Sequence, residues 1–377
     1  MPFVQVSTST GKTRFHYTIS TPTCANAESI TAGLPVLLFF HAMAFHAVFH
    51  SQFRDPLLRK FNLVTFHLRF HGDTTCDTVP EKYGAEDAAE DAVALIDALH
   101  LPPCHFVAMD IGSMIAMQIA VTKPEKVLSL FIMSHLCMEE LPEVRRARTE
   151  LYDLWFSDLP DAHMDVALGY SQYTFSSNIS NLAQALTDYS AFVNLKNWDQ
   201  DHKKEYRLAT YNFFVQRGSY TREALSRIAC PVKLVQGSNS LVYPESYTRN
   251  FVRNLKQAGV NVSWLRVPNA PHYLCVDYGP EVNWEIHDFV LHTMDKASIP
   301  TAPRNVSSPW DKILREWGWT PEKRNEFDDD DITISFPSPP GSPPGSPYTS
   351  SNYTSSIEDN GSVPSEPSEV DTEESMQ

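Results

Sequence analysis

The apolar, β-rich run CHFVAMD, residues 104–110, passes directly into IGSMIAMQIA, which is patterned as a helix. A strand that turns sharply into a helix presents the residue at the turn, here Asp110, at the open end of a sheet, and small residues crowd that turn. A carboxylate in this position can act as a nucleophile. Attack on an ester would give an anhydride, no easier to resolve than the ester, whereas attack on saturated carbon gives an alkyl ester that activated water can hydrolyse. Asp110 therefore points to epoxide or alkyl-halide substrates. Metal chemistry has a weaker footing: His46 and His50 have i, i+4 spacing, but no carboxylate or cysteine accompanies them. The six cysteines, Cys24, Cys76, Cys104, Cys137, Cys230 and Cys275, form no C-x-x-C pair, so they read as reduced thiols. No metal and no cofactor is expected.

The elements that would position Asp110 follow an alternating pattern. Short apolar runs at 35–42 (PVLLFFHA), 62–68, 104–110, 126–135, 231–237 and 261–268 alternate with longer helical stretches, the signature of a parallel sheet with crossover helices. FVQVS and RFHYTIS add two antiparallel strands at the edge. Helical periodicity is clear in EDAAEDAVALIDALHL, GSMIAMQIAV and PEVNWEIHDFVLHTM. The fold class is α/β. Its core is expected in two parts, 1–135 and 229–297, separated by a helical, aromatic-rich cap at 136–228. Residues 298–320 form an extension with one short amphipathic helix carrying Trp310, Ile313, Leu314 and Trp317.

The charge of −16 is unevenly placed, because residues 321–377 hold 13 acids and two bases. That Pro/Ser-rich, acidic segment is too poor in apolar residues to support a core and reads as a disordered tail. Ser338, Ser342 and Ser346 each precede proline, so phosphorylation could give the tail a partner. The rest of the chain is only mildly acidic and has no basic stripe with interleaved aromatics, which excludes a nucleic-acid partner. The N-terminus has no signal-peptide pattern, and the longest early apolar run, Leu34 to Phe40, is too short to span a bilayer. A cytoplasmic location without membrane contact and a small-molecule partner are the resulting expectations.

In element order and motifs the first 297 residues resemble the α/β-hydrolase fold family. The family elbow, G-x-nucleophile-x-G, is similar to Ala108-Met109-Asp110-Ile111-Gly112, with alanine for the first glycine. FFHAMAFH stands where the family often has H-G-x-P: His41 matches, and Ala42 and Ala44 depart. The resemblance implies an oxyanion hole from the backbone amides of Met43 and Ile111. HLRFHGDT looks like the family's D-L-R-G-H-G-x-S turn through Arg69, His71 and Gly72, a match that speaks to fold. NAPHYLCVDYGPEV resembles the family segment that carries the catalytic histidine and so implies His272 as base.

The family's acid position, G-x-x-D, reads Gly237-Ser238-Asn239-Ser240, so Ser240 or Asn239 stands where a carboxylate belongs. The second place some members use holds Ser134, with Glu139 and Glu140 the next carboxylates. An aspartate at the elbow resembles the epoxide hydrolase and haloalkane dehalogenase branch, and Ile111, where dehalogenases usually carry tryptophan, disfavours the latter. Epoxide opening in that branch uses cap tyrosines as donors. Here the cap offers Tyr152, Tyr170, Tyr173, Tyr189, Tyr206, Tyr211 and Tyr220, and the pocket is expected to include His41, Ser134, Tyr170 and Tyr173. Three readings stay open: an Asp-nucleophile hydrolase, a catalytically weak or silent relative that binds a ligand or acts as a scaffold, and an esterase-type enzyme using Ser113 or Ser134.

Overall fold

The computed structural model describes residues 2–321 except 177–178 and 295–298. Among these, nine strands form one sheet in the order β1-β2-β4-β3-β6-β7-β8-β9, with β5 paired to β2. β1 (Phe3–Thr8) and β2 (Gly11–Ser20) are an antiparallel hairpin, and β2 also runs antiparallel to β4 (Asn62–Phe66). From β4 onward, β3 (Val36–Phe40), β6 (Cys104–Asp110), β7 (Val127–His135), β8 (Val232–Gly237) and β9 (Val262–Val267) are parallel. Every residue of β3, β4 and β6 is buried, as expected of central strands covered on both faces. β9 lies at the edge and is only partly buried, although its sequence reads as a core strand. The short β5 (Thr75–Cys76) carries too little sequence to announce itself.

Helix α1 (Ala85–Ala98) begins where Asp87 accepts a hydrogen bond from the Gly84 amide at 2.9 Å, and Glu86 and Asp87 place negative charge at the positive end of its dipole. It packs on α2 (Ile111–Thr122), the helix that leaves the Asp110 turn. Its Asp91 takes both ends of the Arg69 guanidinium, at 2.7 Å each, and the Tyr83 hydroxyl at 3.0 Å, all of them buried. Arg69 thus fastens the loop after β4 to α1, which is the fold role its motif suggested.

Between β7 and β8 the described chain is helical or irregular, with α3 (Pro142–Trp155), α4 (Ala162–Phe175) and α5 (Asn181–Asn197) as the long elements. A single π-helical turn follows at Arg207–Asn212. After β8 come α6 (Glu245–Gln257) and, beyond β9, α7 (Gly279–Leu291). The short α8 (Asp311–Glu316) docks through its aromatics: Trp310 meets Phe53 edge-on at 5.0 Å and Trp317 lies 5.4 Å from Phe192 of α5. No described helix is long and apolar enough to cross a membrane. The acidic Pro/Ser-rich segment and its serine-proline sites lie outside the described residues.

Candidate active site

Asp110 ends β6 at φ 54° and ψ −125°, a strained conformation for a residue with a side chain. The turn closes because Gly112 lies against β3: a Cβ there would stand 2.3 Å from the Phe40 carbonyl oxygen. The Ser113 hydroxyl donates to the Asp110 carbonyl at 2.5 Å and accepts from the Leu136 amide at 2.9 Å, which spends it on the turn. One oxygen of the Asp110 carboxylate, Oδ1, accepts from the Ile111 amide at 2.6 Å and from the Met43 amide at 3.2 Å. Met43 belongs to the loop after β3, so both amides come from the carboxyl ends of adjacent parallel strands. The other oxygen, Oδ2, faces His272 Nε2 at 3.9 Å, beyond hydrogen-bond reach.

His272 follows β9 and is buried. Its loop is pressed onto the end of β8, where a Cβ on Gly237 would meet the Ala270 and Pro271 carbonyls at 2.3 and 2.2 Å. Ser134, at the end of β7 with φ 47°, donates its hydroxyl to the His272 carbonyl. On the far side of the ring, His272 Nδ1 meets the Ser240 hydroxyl at 3.1 Å. Asn239 is exposed and turned away, so of the two residues at the acid position Ser240 reaches the imidazole. Burial alone would raise the Asp110 pKa. His272, Arg148 and the Ile111 amide outweigh it and hold the carboxyl below its ordinary value, ionised at neutral pH.

Two residues expected in the pocket have other partners. His41 is fully buried; its Nε2 accepts from the Leu68 amide at 2.9 Å and its Nδ1 donates to the Ala42 carbonyl at 2.7 Å, so the ring braces two loops. Ser134 supports the His272 backbone instead of lining a cavity. Glu140 is also committed elsewhere. Arg217 holds its two oxygens at 2.5 and 3.0 Å and the Tyr243 hydroxyl lies 3.1 Å from each, while Glu139 is exposed. Neither approaches His272 as an orienting acid.

A small cavity of about 60 Å³ lies within the helical segment and is bounded on the sheet side by Met43, Ala44 and Phe45. Tyr170 lines it, as do Tyr206 and Tyr211, whereas Tyr173 does not. Asp110 and His272 do not line it, but Met43, whose amide binds Asp110, and Tyr170, whose hydroxyl lies 2.8 Å from that of Tyr273, do. Arg148 of α3 faces the cavity and was not singled out by its sequence context. The signal was present: Val144, Arg148, Leu151 and Trp155 share one stripe of the helix, so a cation falls on an apolar face.

His46 and His50, the i, i+4 pair of the sequence, have separate partners. His46 meets the Tyr189 hydroxyl at 3.1 Å, and His50 stands 3.8 Å from Asp311 and edge-on to Trp319. Among the described residues, His16, His67 and Asp73 bring ligand atoms within 4.8 Å of one another, with Asp73 exposed.

Residues 35–277 match the model of the alpha/beta hydrolase fold family, and the chain belongs to it. Solved structures agree in fold at low identity. An esterase from Thermogutta terrifontis is 15% identical with a TM-score of 0.63, covering 78% of this chain and 100% of its own. An enol-lactonase from Burkholderia xenovorans is 15% identical with a TM-score of 0.60, over 77% and 99%. A carboxylesterase from Bacillus subtilis is 18% identical with a TM-score of 0.57, over 77% and 92%. No curated protein matches the chain in sequence.

Proposed function

We propose that the protein is a hydrolase of small organic molecules that uses Asp110 as nucleophile on an electrophilic saturated carbon, such as that of an epoxide, and His272 as base for hydrolysis of the resulting ester. The observation that carries this reading is the division of labour within the Asp110 carboxylate. Oδ1 rests on the Met43 and Ile111 amides, and Oδ2 is left facing His272 Nε2 at 3.9 Å. When Oδ2 bonds to carbon, Oδ1 becomes the carbonyl oxygen of an ester already seated in an oxyanion hole. A water activated by His272 then attacks that carbonyl carbon, and the two amides stabilise the tetrahedral oxyanion. The helical segment acts as a cap, with the Tyr170–Tyr273 hydroxyl pair as donor to the departing alkoxide.

The experiment is repeated turnover of a panel of short terminal epoxides in ¹⁸O-water, followed by mass spectrometry of the elbow peptide. Label in the Asp110 carboxylate is expected, since the attacking water's oxygen remains in the enzyme. An unlabelled peptide from an active enzyme would overturn the covalent mechanism.

A second reading, a ligand-binding relative with little or no turnover, is favoured by one observation: His272 Nδ1 meets an uncharged hydroxyl where the family has a carboxylate. Turnover by the wild type that is lost in Asp110→Asn would rule it out. A serine nucleophile has less support, because the Ser113 and Ser134 hydroxyls are both engaged with backbone carbonyls.

A further inference from the structure

The cavity within the helical segment is lined by buried donors whose hydrogen bonds the described side chains leave incomplete. Arg148 is only 8% exposed and lies flat on Phe214, its guanidinium carbon 3.2 Å from the ring centroid. Its Nη1 touches the Met43 sulfur at 3.8 Å, a weak acceptor, and its Nε has no hydrogen-bond partner among the described residues. Glu140 forms an ion pair with Arg148, 3.6 Å from Nε, and Asp110 attracts it at longer range, so its charge is offset, but the Glu140 contact lies beyond hydrogen-bond distance. The Glu140 oxygens already take Arg217, Tyr243 and the Leu141 amide. A second orphan lines the same cavity: the hydroxyl of Ser190, on α5, is 1% exposed and has no partner among the described residues. Buried donors left without acceptors cost about 1–3 kcal/mol each, more when charged, so two facing one cavity imply an occupant that satisfies both.

We propose that this cavity binds a short carboxylic acid, its anion held by the Arg148 guanidinium edge and the Ser190 hydroxyl. A planar carboxylate fits the guanidinium edge and supplies acceptors for its donors. Trp155, Val166 and Trp198 give the wall an apolar stretch that suits a short hydrocarbon body, beside polar residues such as Thr187 and Asn194. A volume of about 60 Å³ suits a small ligand such as propanoate. The walls also carry the π-helical turn through Thr210 and Tyr211, a distortion that recurs at functional sites. The cavity borders the proposed catalytic groups through Met43 and Tyr170, but its anion contacts use neither Asp110 nor His272, so binding can be read without turnover.

The test is calorimetric titration of the full chain at constant ionic strength with propanoate, propanamide and inorganic phosphate. Propanoate is expected to saturate one site and to bind about tenfold or more tighter than propanamide, the discrimination of one charge-assisted contact, with phosphate weaker than propanoate. Arg148→Lys, which keeps a cation beside Glu140, should weaken propanoate about tenfold. Ala191→Leu, which fills the cavity, should abolish binding in a protein that still unfolds cooperatively. Ser190→Ala should weaken binding a few-fold without loss of stability. Asp110→Asn, which removes the proposed nucleophile and one carboxylate that attracts Arg148, should retain or strengthen the affinity, so failure of the catalytic reading and failure of this one are distinguishable. Equal binding of propanoate and propanamide, tighter binding of phosphate, or affinity unchanged in both Arg148→Lys and Ala191→Leu would overturn the proposal.

Discussion

Ser240→Asp tests whether the missing charge behind His272 limits the proposed reaction. The Ser240 hydroxyl, 3.1 Å from Nδ1, can accept from that nitrogen and so select the tautomer whose Nε2 lone pair faces Asp110. It cannot stabilise the imidazolium that forms when His272 takes a proton from water. A carboxylate about 3 Å away in a medium of effective dielectric about 20 would contribute about 5 kcal/mol to that cation, close to 10⁴ in rate. Loss of the acid from a serine triad has a similar magnitude, about 10⁴ in turnover. The gain here should be smaller, because Gly237 and Pro271 are already in close contact beside the site and the extra carboxylate must be accommodated. We expect hydrolysis of the Asp110 ester to accelerate by about 10² to 10³, with its formation changed by less than about threefold. Rapid quench of a single turnover with an epoxide, followed by mass analysis of the elbow peptide, separates the two steps. Ser240→Ala should slow ester hydrolysis by about tenfold through loss of the tautomer contact. A folded Ser240→Asp protein with unchanged ester hydrolysis would refute the idea that charge at this position limits the reaction.

Three further outcomes follow from the geometry. Because the folded-state pKa of Asp110 lies below its unfolded value, its carboxylate contributes stability above about pH 4 that is lost as pH falls through the folded value. The difference in urea stability between wild type and Asp110→Asn should therefore be flat from about pH 5 to 8 and shrink below about pH 4; a decline on the alkaline side would contradict the direction of the shift. Asp91→Ala strands the Arg69 guanidinium, which has 0% side-chain exposure, and should cost about 3–5 kcal/mol in denaturant unfolding; a loss under about 1 kcal/mol would show that solvent reaches the pair. Gly112→Ala drives a methyl group to within 2.3 Å of the Phe40 carbonyl and should cost about 1–3 kcal/mol, read as a lowered thermal midpoint, whereas an unchanged midpoint would mean that α2 and β3 can separate at no cost.

What the sequence made legible was local. The buried strands announced themselves because β3, β4 and β6 need apolar residues on both faces. Gly112 and the Asp110 turn could be read because a strand-to-helix reversal tolerates few residues there. Met43, Ile111, His272 and Ser240 were nameable because each sits just past a strand's carboxyl end, and parallel strands bring those ends to one edge. One-residue ambiguity survived where a turn decides which side chain faces inward. Asn239 and Ser240 are adjacent, and only the fold of the loop, with the Asn239 amide on the Ala270 carbonyl at 2.9 Å, shows that serine meets the imidazole.

Contacts distant in the chain were not legible. His41 was expected in the pocket from its motif, but a backbone amide 27 residues away takes its ring nitrogen. Glu140 finds Arg217 across 77 residues and Tyr170 finds Tyr273 across 103, separations for which no periodicity speaks. Arg148 is the instructive case. Its place on an apolar helical stripe was visible, and a cation on such a stripe either has a buried counter-charge or faces a cavity. The sequence could not choose, because Glu140 is eight residues away and a plausible partner. The structure gives the Glu140 hydrogen bonds to Arg217 and leaves Arg148 a longer ion pair at 3.6 Å, so its charge is offset while its Nε keeps no hydrogen-bond acceptor among the described residues.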